Sequence, residues 1–501
     1  MNVAKLRECV KNAAAIRCRT KLAPVGHDRD KVFPPTFDGA VYAEEHRLDQ
    51  DGEHLVPAVL LDSVASQANR IEEALRDALD DTSLNPRLEF PVPTVDFSGL
   101  ADVPGIPRSI NVLEAPHRIF DAIFRDSEVV PPSSNARAGV TPNASALPAQ
   151  SSTVGGGVAP AEPETLNQPP RPVAFRDSIL GQALRTAALH NATSLFEYCP
   201  TVLLFGAWNS TDAVPGKVKF ARALVSEIVA YYVEKGKKVG SRIDPLEIQK
   251  LPLFRTGTGK FDYTADPTRA RPIMDNGQPK LDSEGKQVPQ ALTKKEGNRE
   301  VQAYPSDINH GNVTPSVSRA KEPLKGPGGT IIEDRDRILP GGITMRYAEQ
   351  TSVLSMAALR RLRFPPSPGP APTQATNPAA PDTSPPSSAA PSNRDEDARM
   401  MLTALGLVAM VCSRRDYFLR SRCDLYAPGP IKFEIVQPGV SQIEEFTLDL
   451  AQGAALLNQV AAQSSATWKR QAELETFQPS QRLADLIRES RRRGGSEGES
   501  Q

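Results

Sequence analysis

The sequence predicts one α+β core carrying large insertions, and three features predict it. Short segments of strand-like alternation sit beside segments of helical periodicity throughout. Two long Pro-, Ser- and Ala-rich stretches interrupt them, and a polar, turn-rich block fills the middle of the chain. The 501 residues divide accordingly: 1–128, the first part of the core; 129–172, a disordered linker; 173–255, a central strand–helix core. Then come 256–340, an extended β arm; 341–364, a core strand and basic helix; 365–394, a second disordered linker; 395–488, helices and a strand pair; and 489–501, a charged tail. The linkers are too poor in apolar side chains to offset the entropy of ordering them.

In chain order, AIRCRTKLA (15–23) alternates as a strand with Arg17, Arg19 and Lys21 on one face. YAEEHRLDQDGEHLVPAVLL predicts a hairpin turning at Asp51–Gly52. LDSVASQANRIEEALRDAL predicts a helix with Ile71, Leu75 and Leu79 on its apolar side. Ser63, Ser66, Gln67 and Arg70 form a polar stripe near its start, which serves as an anion-facing surface or as a plain solvated face. APHRIFDAIFRDS (115–127) and FRDSILGQALRTAALHNAT (175–193) predict helices, the second exposing Arg176 and Arg185. TVLLFGAW (201–208) has the length and composition of a buried strand, and NSTDAVPG a turn. KVKFARALVSEIVAYYVEKGKK then predicts an amphipathic helix with Phe220, Leu224, Ile228 and Tyr231 on one face and Lys219, Arg222 and Ser226 on another. Lys217 and Lys219 at its start, and Arg242 just before Asp244–Pro245, make this a phosphate-facing unit. It is not a nucleotide-triphosphate loop, because Val218 follows Lys217 where Ser or Thr is required.

Three hairpins are expected in the arm, in GTGKFDYTAD, MDNGQPKLDSEGKQV and EGNREVQAYPSD. ITMRYAEQTSVLSMAALRRLRF (343–364) predicts a strand, with Arg346 opposite Met345 and Tyr347, followed by a basic segment with Arg360, Arg361 and Arg363. DEDARMMLTALGLVAMVC predicts a buried helix, FLRSRCDLY and IKFEIV a strand pair with Arg420 and Arg422 on one face, and AQGAALLNQVAAQ a final helix.

Composition narrows the function. A net charge of −1 and a pI near 6.6 give no overall field toward nucleic acid or membrane, so any anion-binding surface is local. Between Arg171 and Lys260 there are 13 Lys and Arg against 7 Asp and Glu, which supports such a surface. The five cysteines (Cys9, Cys18, Cys199, Cys412, Cys423) show no metal-ligand spacing and are expected as buried free thiols of a cytoplasmic protein. The N-terminus lacks a signal-peptide core, and the longest apolar run is too short to span a membrane.

Enzymatic sites are weak one by one. Glu44, Glu45, His46, Asp49, Asp51, Glu53 and His54 cluster at a hairpin tip, where solvated charges explain them more cheaply than a metal. His117 and Asp121, four apart on the expected helix, form an acid–base pair or, more simply, a surface pair. Asp334 and Asp336 alternate on one strand face and offer a divalent-ion site, but Arg335 and Arg337 between and beside them argue for a salt-bridged arm. What remains is repeated Arg, Lys, Ser and Gln on element surfaces, which suits tracking a polyanion backbone. No catalytic residue, metal or cofactor is expected.

These segments also resemble a known family. NATSLFEYCPTVLLFGAWNST, KVKFARALVSEIVAYYVEKG, SRIDPL, TSVLSMAALRRLRF and LDSVASQANRIEEAL are similar to the crRNA-binding backbone subunit of type I-G (formerly I-U) CRISPR–Cas effector complexes, of the RAMP superfamily. The resemblance spans roughly Ala15–Glu128 and Phe175–Leu450. It implies an RRM-like (ferredoxin-like), hand-shaped fold with a β-hairpin thumb, and copies polymerising along the guide RNA. It also implies contacts with other effector subunits and with target DNA through the guide, and it needs no catalysis. It places RNA contacts on the early helix, at Ser63, Ser66, Gln67 and Arg70. Lys217, Lys219, Arg222, Arg242, Arg346 and Arg360 join them on local chemistry alone. Two other classes stay open: a metal-dependent endoribonuclease backbone subunit using Asp334 or Asp336, and a structural assembly protein without nucleic acid.

Overall fold

The computed structural model describes residues 1–129, 171–208, 219–259, 261–296, 299–325, 331–366 and 393–498. Most of both expected linkers, and the turn carrying Lys217, therefore lie outside the described residues. The fold is mixed α+β and is built on a nine-stranded sheet. In chain order its strands are β1 (Ala15–Pro24), β2 (Glu44–Leu48), β3 (Leu55–Asp62), β4 (Leu224–Tyr231), β5 (Tyr347–Ser355), β6 (Tyr417–Arg420), β7 (Cys423–Tyr426), β8 (Phe433–Val436) and β9 (Glu444–Phe446). Their spatial order is β2-β3-β4-β5-β1-β7-β6, with β8 pairing both β1 and β9, and every neighbouring pair is antiparallel.

Strand β1 shows why the sheet forms here. Its burial alternates residue by residue, with Ile16, Cys18, Thr20 and Leu22 inward and Arg17, Arg19 and Lys21 outward, the period-2 signature of a half-buried strand. The inward face of β1, β4 and β5 packs on α2 (Val64–Asp80) and α3 (Asn393–Cys412), and α1 (Val3–Asn12) and α4 (Leu450–Gln463) pack in turn on α3. From Met400 to Cys412 helix α3 is apolar on nearly all sides and is buried almost throughout, as a helical stretch with no polar face must be. Ser63 caps α2 and Asp449 caps α4 in a capping box. A second, five-stranded sheet joins the segments Ser109–Asn111, Thr94–Asp96, Phe477–Pro479, Ser127–Val129 and Val173–Ala174, behind a ring cluster of Phe124, Phe175 and Phe477.

Between β4 and β5 the chain leaves the sheet as a long arm. Glu234–Lys237 pairs with Pro340–Thr344 at its root, and Val239–Arg242 pairs with Val313–Val317 beyond. Hairpins then pair Phe254–Arg255 with Tyr263–Thr264, Met274–Asp275 with Gln278–Pro279, Thr293–Glu296 with Arg299–Gln302, and Arg319–Lys325 with Ile331–Ile338. A small core of Leu253, Leu292 and Ala303 steadies the arm. At the root Gly342 has φ +85°, and a Cβ there would meet the Val32 carbonyl oxygen at 2.9 Å, so the returning strand fits only as glycine.

Several expected elements are different in the structure. The stretch expected as a helix from Lys217 is strand β4, preceded by the short strand Lys219–Phe220 and followed by Glu234–Lys237. Residues 220, 224 and 228 are four apart, a spacing that puts them on one side of a helix or of a strand. The β-branched and aromatic run through Val225, Ile228, Val229, Tyr231 and Val233 then settles it for the sheet. TVLLF, expected as a strand, is the buried helix Thr201–Phe205, and only Ala207–Trp208 is extended. A short apolar run carries no period to tell the two apart. The 115–127 segment is a 3-10 turn (Arg118–Phe120), a one-turn helix (Ala122–Arg125) and a short strand. The 175–193 segment is helical only in short pieces. FLRSRCDLY does not pair with IKFEIV: it folds into its own β6–β7 hairpin, Arg422 taking the turn at φ +59°, while β8 pairs with β1. The charged C-terminal residues continue a helix, Gln481–Gly498.

All five cysteines are free and buried; burial pushes Cys9 up to about 11, and Cys199, Cys412 and Cys423 to about 12. No described helix is long and apolar enough to cross a membrane.

Candidate nucleic-acid interface

The sheet has two unlike faces, and the expected site residues divide between them. On the helix-covered face the Ser63–Arg70 stripe is only partly open to solvent. Ser63 and Ser66 are half exposed at the start of α2, and Ser63 Oγ accepts the Ser66 N–H at 3.3 Å. Gln67 is 3% exposed. Its Nε2 donates to Asp62 Oδ2, and its Oε1 accepts from Ser226 Oγ at 2.9 Å and Gln350 Nε2 at 2.8 Å. The chain of donors continues inward: Ser352 Oγ donates to Ser226, Arg414 donates to Ser352 and Thr20, and Tyr417 donates to Gln350. Arg70 donates to Asp62 at 3.0 Å and to the Phe418 and Leu419 carbonyls of β6. This network ties α2 to β4, β5, β1 and β6, and the exposed stripe expected from the sequence is corrected accordingly: Gln67 is an internal link.

Nearby, Arg118 makes a two-pronged ion pair with Glu72 at 2.6 and 2.7 Å, and a third bond to the Gly206 carbonyl at 3.1 Å. Both side chains are buried. Burial pushes Glu72 up to about 7, with Arg118 working against it. Arg360 also turns inward, donating to the Val10 and Ala13 carbonyls at 3.0 and 2.8 Å, which satisfies the C-terminal end of α1. Arg242 braces the arm through the Gly311 and His310 carbonyls at 3.0 and 2.7 Å.

The opposite face carries rows of side chains across the central strands, from exposed (Arg19, Lys21) to buried (Val229, Glu434). Register sets Val225, Val353, Arg17 and Glu434 in one row, then Glu227, Thr351 and Arg19, then Val229, Glu349 and Lys21, and last Tyr231 and Tyr347. Charges alternate along it. Glu434 takes Arg17 and Arg19, the latter at 3.2 Å; burial would raise its carboxyl, yet these two guanidinium groups hold it below the usual carboxylate range. Arg47 of β2 reaches Glu227 with both terminal nitrogens. Lys21 and Arg346 are exposed and lie on rings, 5.3 Å from the centroids of Tyr347 and Tyr232. Lys219 and Arg222 are exposed beside the start of β4. The structure thus gathers Arg346 with Lys21 at the arm root, leaves Lys219 and Arg222 at the far end of β4, and turns Gln67 and Arg360 inward. The Arg17–Lys21 alternation is visible in the sequence, but its neighbours are not. The signal was present in the period of β1, and only the register with β5 gives it neighbours.

Other candidate sites resolve into local structure. His117 and Asp121 are not paired along a helix: the His117 backbone N–H donates to Asp121 Oδ2 at 2.9 Å, and Asp121 caps the following turn. In the hairpin-tip cluster Glu44 pairs with Lys235 at 2.9 Å, Glu45 with Arg47 at 2.8 Å, and Asp49 accepts from Tyr232 Oη at 3.1 Å. Asp334 and Asp336 lie on the strand Ile331–Ile338 opposite Pro323 and Lys321. Lys321 and Arg319 reach Asp336 at 2.8 and 3.5 Å, holding its carboxyl below the usual range. Among the described residues no group of three or more His, Cys, Asp or Glu is arranged to hold a metal ion.

No curated protein matches the chain. A family profile does: that of CRISPR-associated protein GSU0053, over residues 16–153 and 167–235. The matched stretch runs from β1 through α2 and β4 to the arm root, under half of the chain. It indicates a CRISPR-associated protein family and supports a role in CRISPR defence.

Proposed function

We propose that this chain is a non-catalytic, crRNA-binding backbone subunit of a type I-G CRISPR surveillance complex, of the RAMP superfamily. The observation that carries the reading is connectivity. Taken as β1–α2–β4–β5–α3–β7, with sheet order β4-β5-β1-β7 and antiparallel neighbours, the core follows a βαββαβ order, which supports an RRM-like, ferredoxin-like reading. The arm leaves between the second and third strands of that unit and has the place and length of a thumb. Copies of the subunit would polymerise along the guide in the cytoplasm beside other effector subunits. Guide–target pairing would read the DNA sequence, while the protein holds backbone and shape.

Such a task calls for distributed cations rather than a reaction centre. The open sheet face and arm root supply Arg19, Lys21 and Arg346, Lys219 and Arg222 stand exposed beside the start of β4, and Ser63 and Ser66 stand at the start of α2. Gln67, Arg70, Arg242 and Arg360 support the surface from within by the bonds described above. The test is purification of the chain with its partner subunits after nuclease treatment. The expected result is a protected RNA of defined length and a raised 260/280 nm absorbance ratio. A complex that assembles free of RNA at low salt would overturn the reading.

A further inference from the structure

One side-chain cluster at the arm root gathers more than its strand pairing needs. Tyr231 ends β4 and Tyr347 begins β5, directly opposite in register. Their rings stack with centroids 5.1 Å apart and planes 16° apart. Tyr232 tilts against Tyr347 at 6.3 Å and 56°, and its hydroxyl donates to Asp49. All three rings are half exposed, and Lys21 and Arg346, both exposed, lie over two of them.

A cross-strand aromatic pair stabilises strand register, and that accounts for Tyr231 against Tyr347. It does not account for two exposed cations poised over the rings at the same spot, since holding long charged side chains costs rotamer entropy. Half-exposed rings flanked by Lys and Arg are the chemistry that binds single-stranded nucleic acid: bases stack on π faces, and the adjoining phosphates meet the cations. Burial and the nearby Glu349 push the Tyr347 phenol up to about 12, so it stays a neutral donor at working pH. Glu227, Glu349 and Asp49 also border the site, and they disfavour a bare polyanion more than a base. We propose that the Tyr231–Tyr347–Tyr232 cluster stacks an unpaired base of single-stranded RNA, with Lys21 and Arg346 on its flanking phosphates.

The inference rests on the RNA-binding reading above, and the experiment separates the two. The full chain is titrated with a short single-stranded oligoribonucleotide carrying 2-aminopurine, following anisotropy for affinity and fluorescence quenching for stacking. The unaltered protein should bind and quench. Tyr231→Leu with Tyr347→Leu should weaken binding by roughly tenfold and restore fluorescence, with the salt dependence unchanged, because stacking releases no counterions. Tyr231→Phe with Tyr347→Phe keeps the rings and should bind and quench like the parent, which separates stacking from simple loss of fold. Lys21→Ala should instead lower the slope of log affinity against log salt by about one. Binding by the Leu variant with parental affinity and quenching would sink the stacking site and leave the RNA-binding reading standing. Failure of the unaltered protein to bind the probe would sink both.

Discussion

The two faces of the central sheet use the same residue types to opposite ends. Gln67, Ser226, Gln350, Ser352 and Arg414 join end to end beneath the helices, whereas Arg17, Arg19 and Lys21, on the alternate positions of β1, face outward. Polar side chains on the covered face must find one another, because an unmade bond there exposes a desolvated donor or acceptor. On the open face water answers for any partner that is missing. Loss of a side chain should therefore be felt as stability on one face and as binding on the other.

The largest expected effect tests the covered side. Glu72→Ala leaves the Arg118 guanidinium buried without its carboxylate. Breaking a buried pair from one side costs about 3–5 kcal/mol, to be read as a lowered urea midpoint at unchanged slope. A midpoint within error of the parent would mean that the pair is open to water in solution.

Next comes Gln67→Ala, which strands Ser226, the Gln350 amide and part of Asp62 at once. Unmade buried hydrogen bonds of this kind cost about 1–3 kcal/mol. Under conditions where the variant is still folded, its RNA affinity should match the parent's. Parental stability combined with lost RNA affinity would return Gln67 to the surface role that the sequence alone implied.

That reversal marks the limit of what was legible in the chain. Strand β1, the β2–β3 hairpin with its Asp-Gly turn, α2, α3, α4 and three of the arm's hairpins follow from local period and turn chemistry, whereas the hairpin Arg319–Lys325/Ile331–Ile338 was not expected. Strand β4 did not, since Phe220, Leu224 and Ile228 recur at a spacing that satisfies both periods. Nor did the fate of Gln67. One partner, Asp62, lies five residues away, but Ser226 and Gln350 are 159 and 283 residues distant, and no local pattern reports a bond across such a separation. The open face was half legible: alternation showed which residues of β1 point outward, while the tyrosines beside Lys21 come from strands brought together only by the fold.

The smallest expected effect belongs to the outer hairpin of the arm, at Asp336. Asp336 is held by Lys321 and Arg319 across its hairpin, at side-chain exposures of 43% against 69% and 59%. Exposed pairs of this kind add little to stability, because solvent screens them and ordering two long side chains offsets the attraction. Asp334→Ala with Asp336→Ala should therefore melt with the parent and bind the same RNA. Catalysis is the other property to test, since two carboxylates two residues apart in the sequence match two ligands of a divalent ion. Against that, the cations already on Asp336 would have to be displaced, and a hydrolytic site would need further ligands to fix the metal and position a water. With Mg²⁺ and a complementary target RNA, neither the parent complex nor the double variant should cut. Cleavage at regular intervals by the parent, abolished in the variant, would make the arm an active site and overturn the non-catalytic reading.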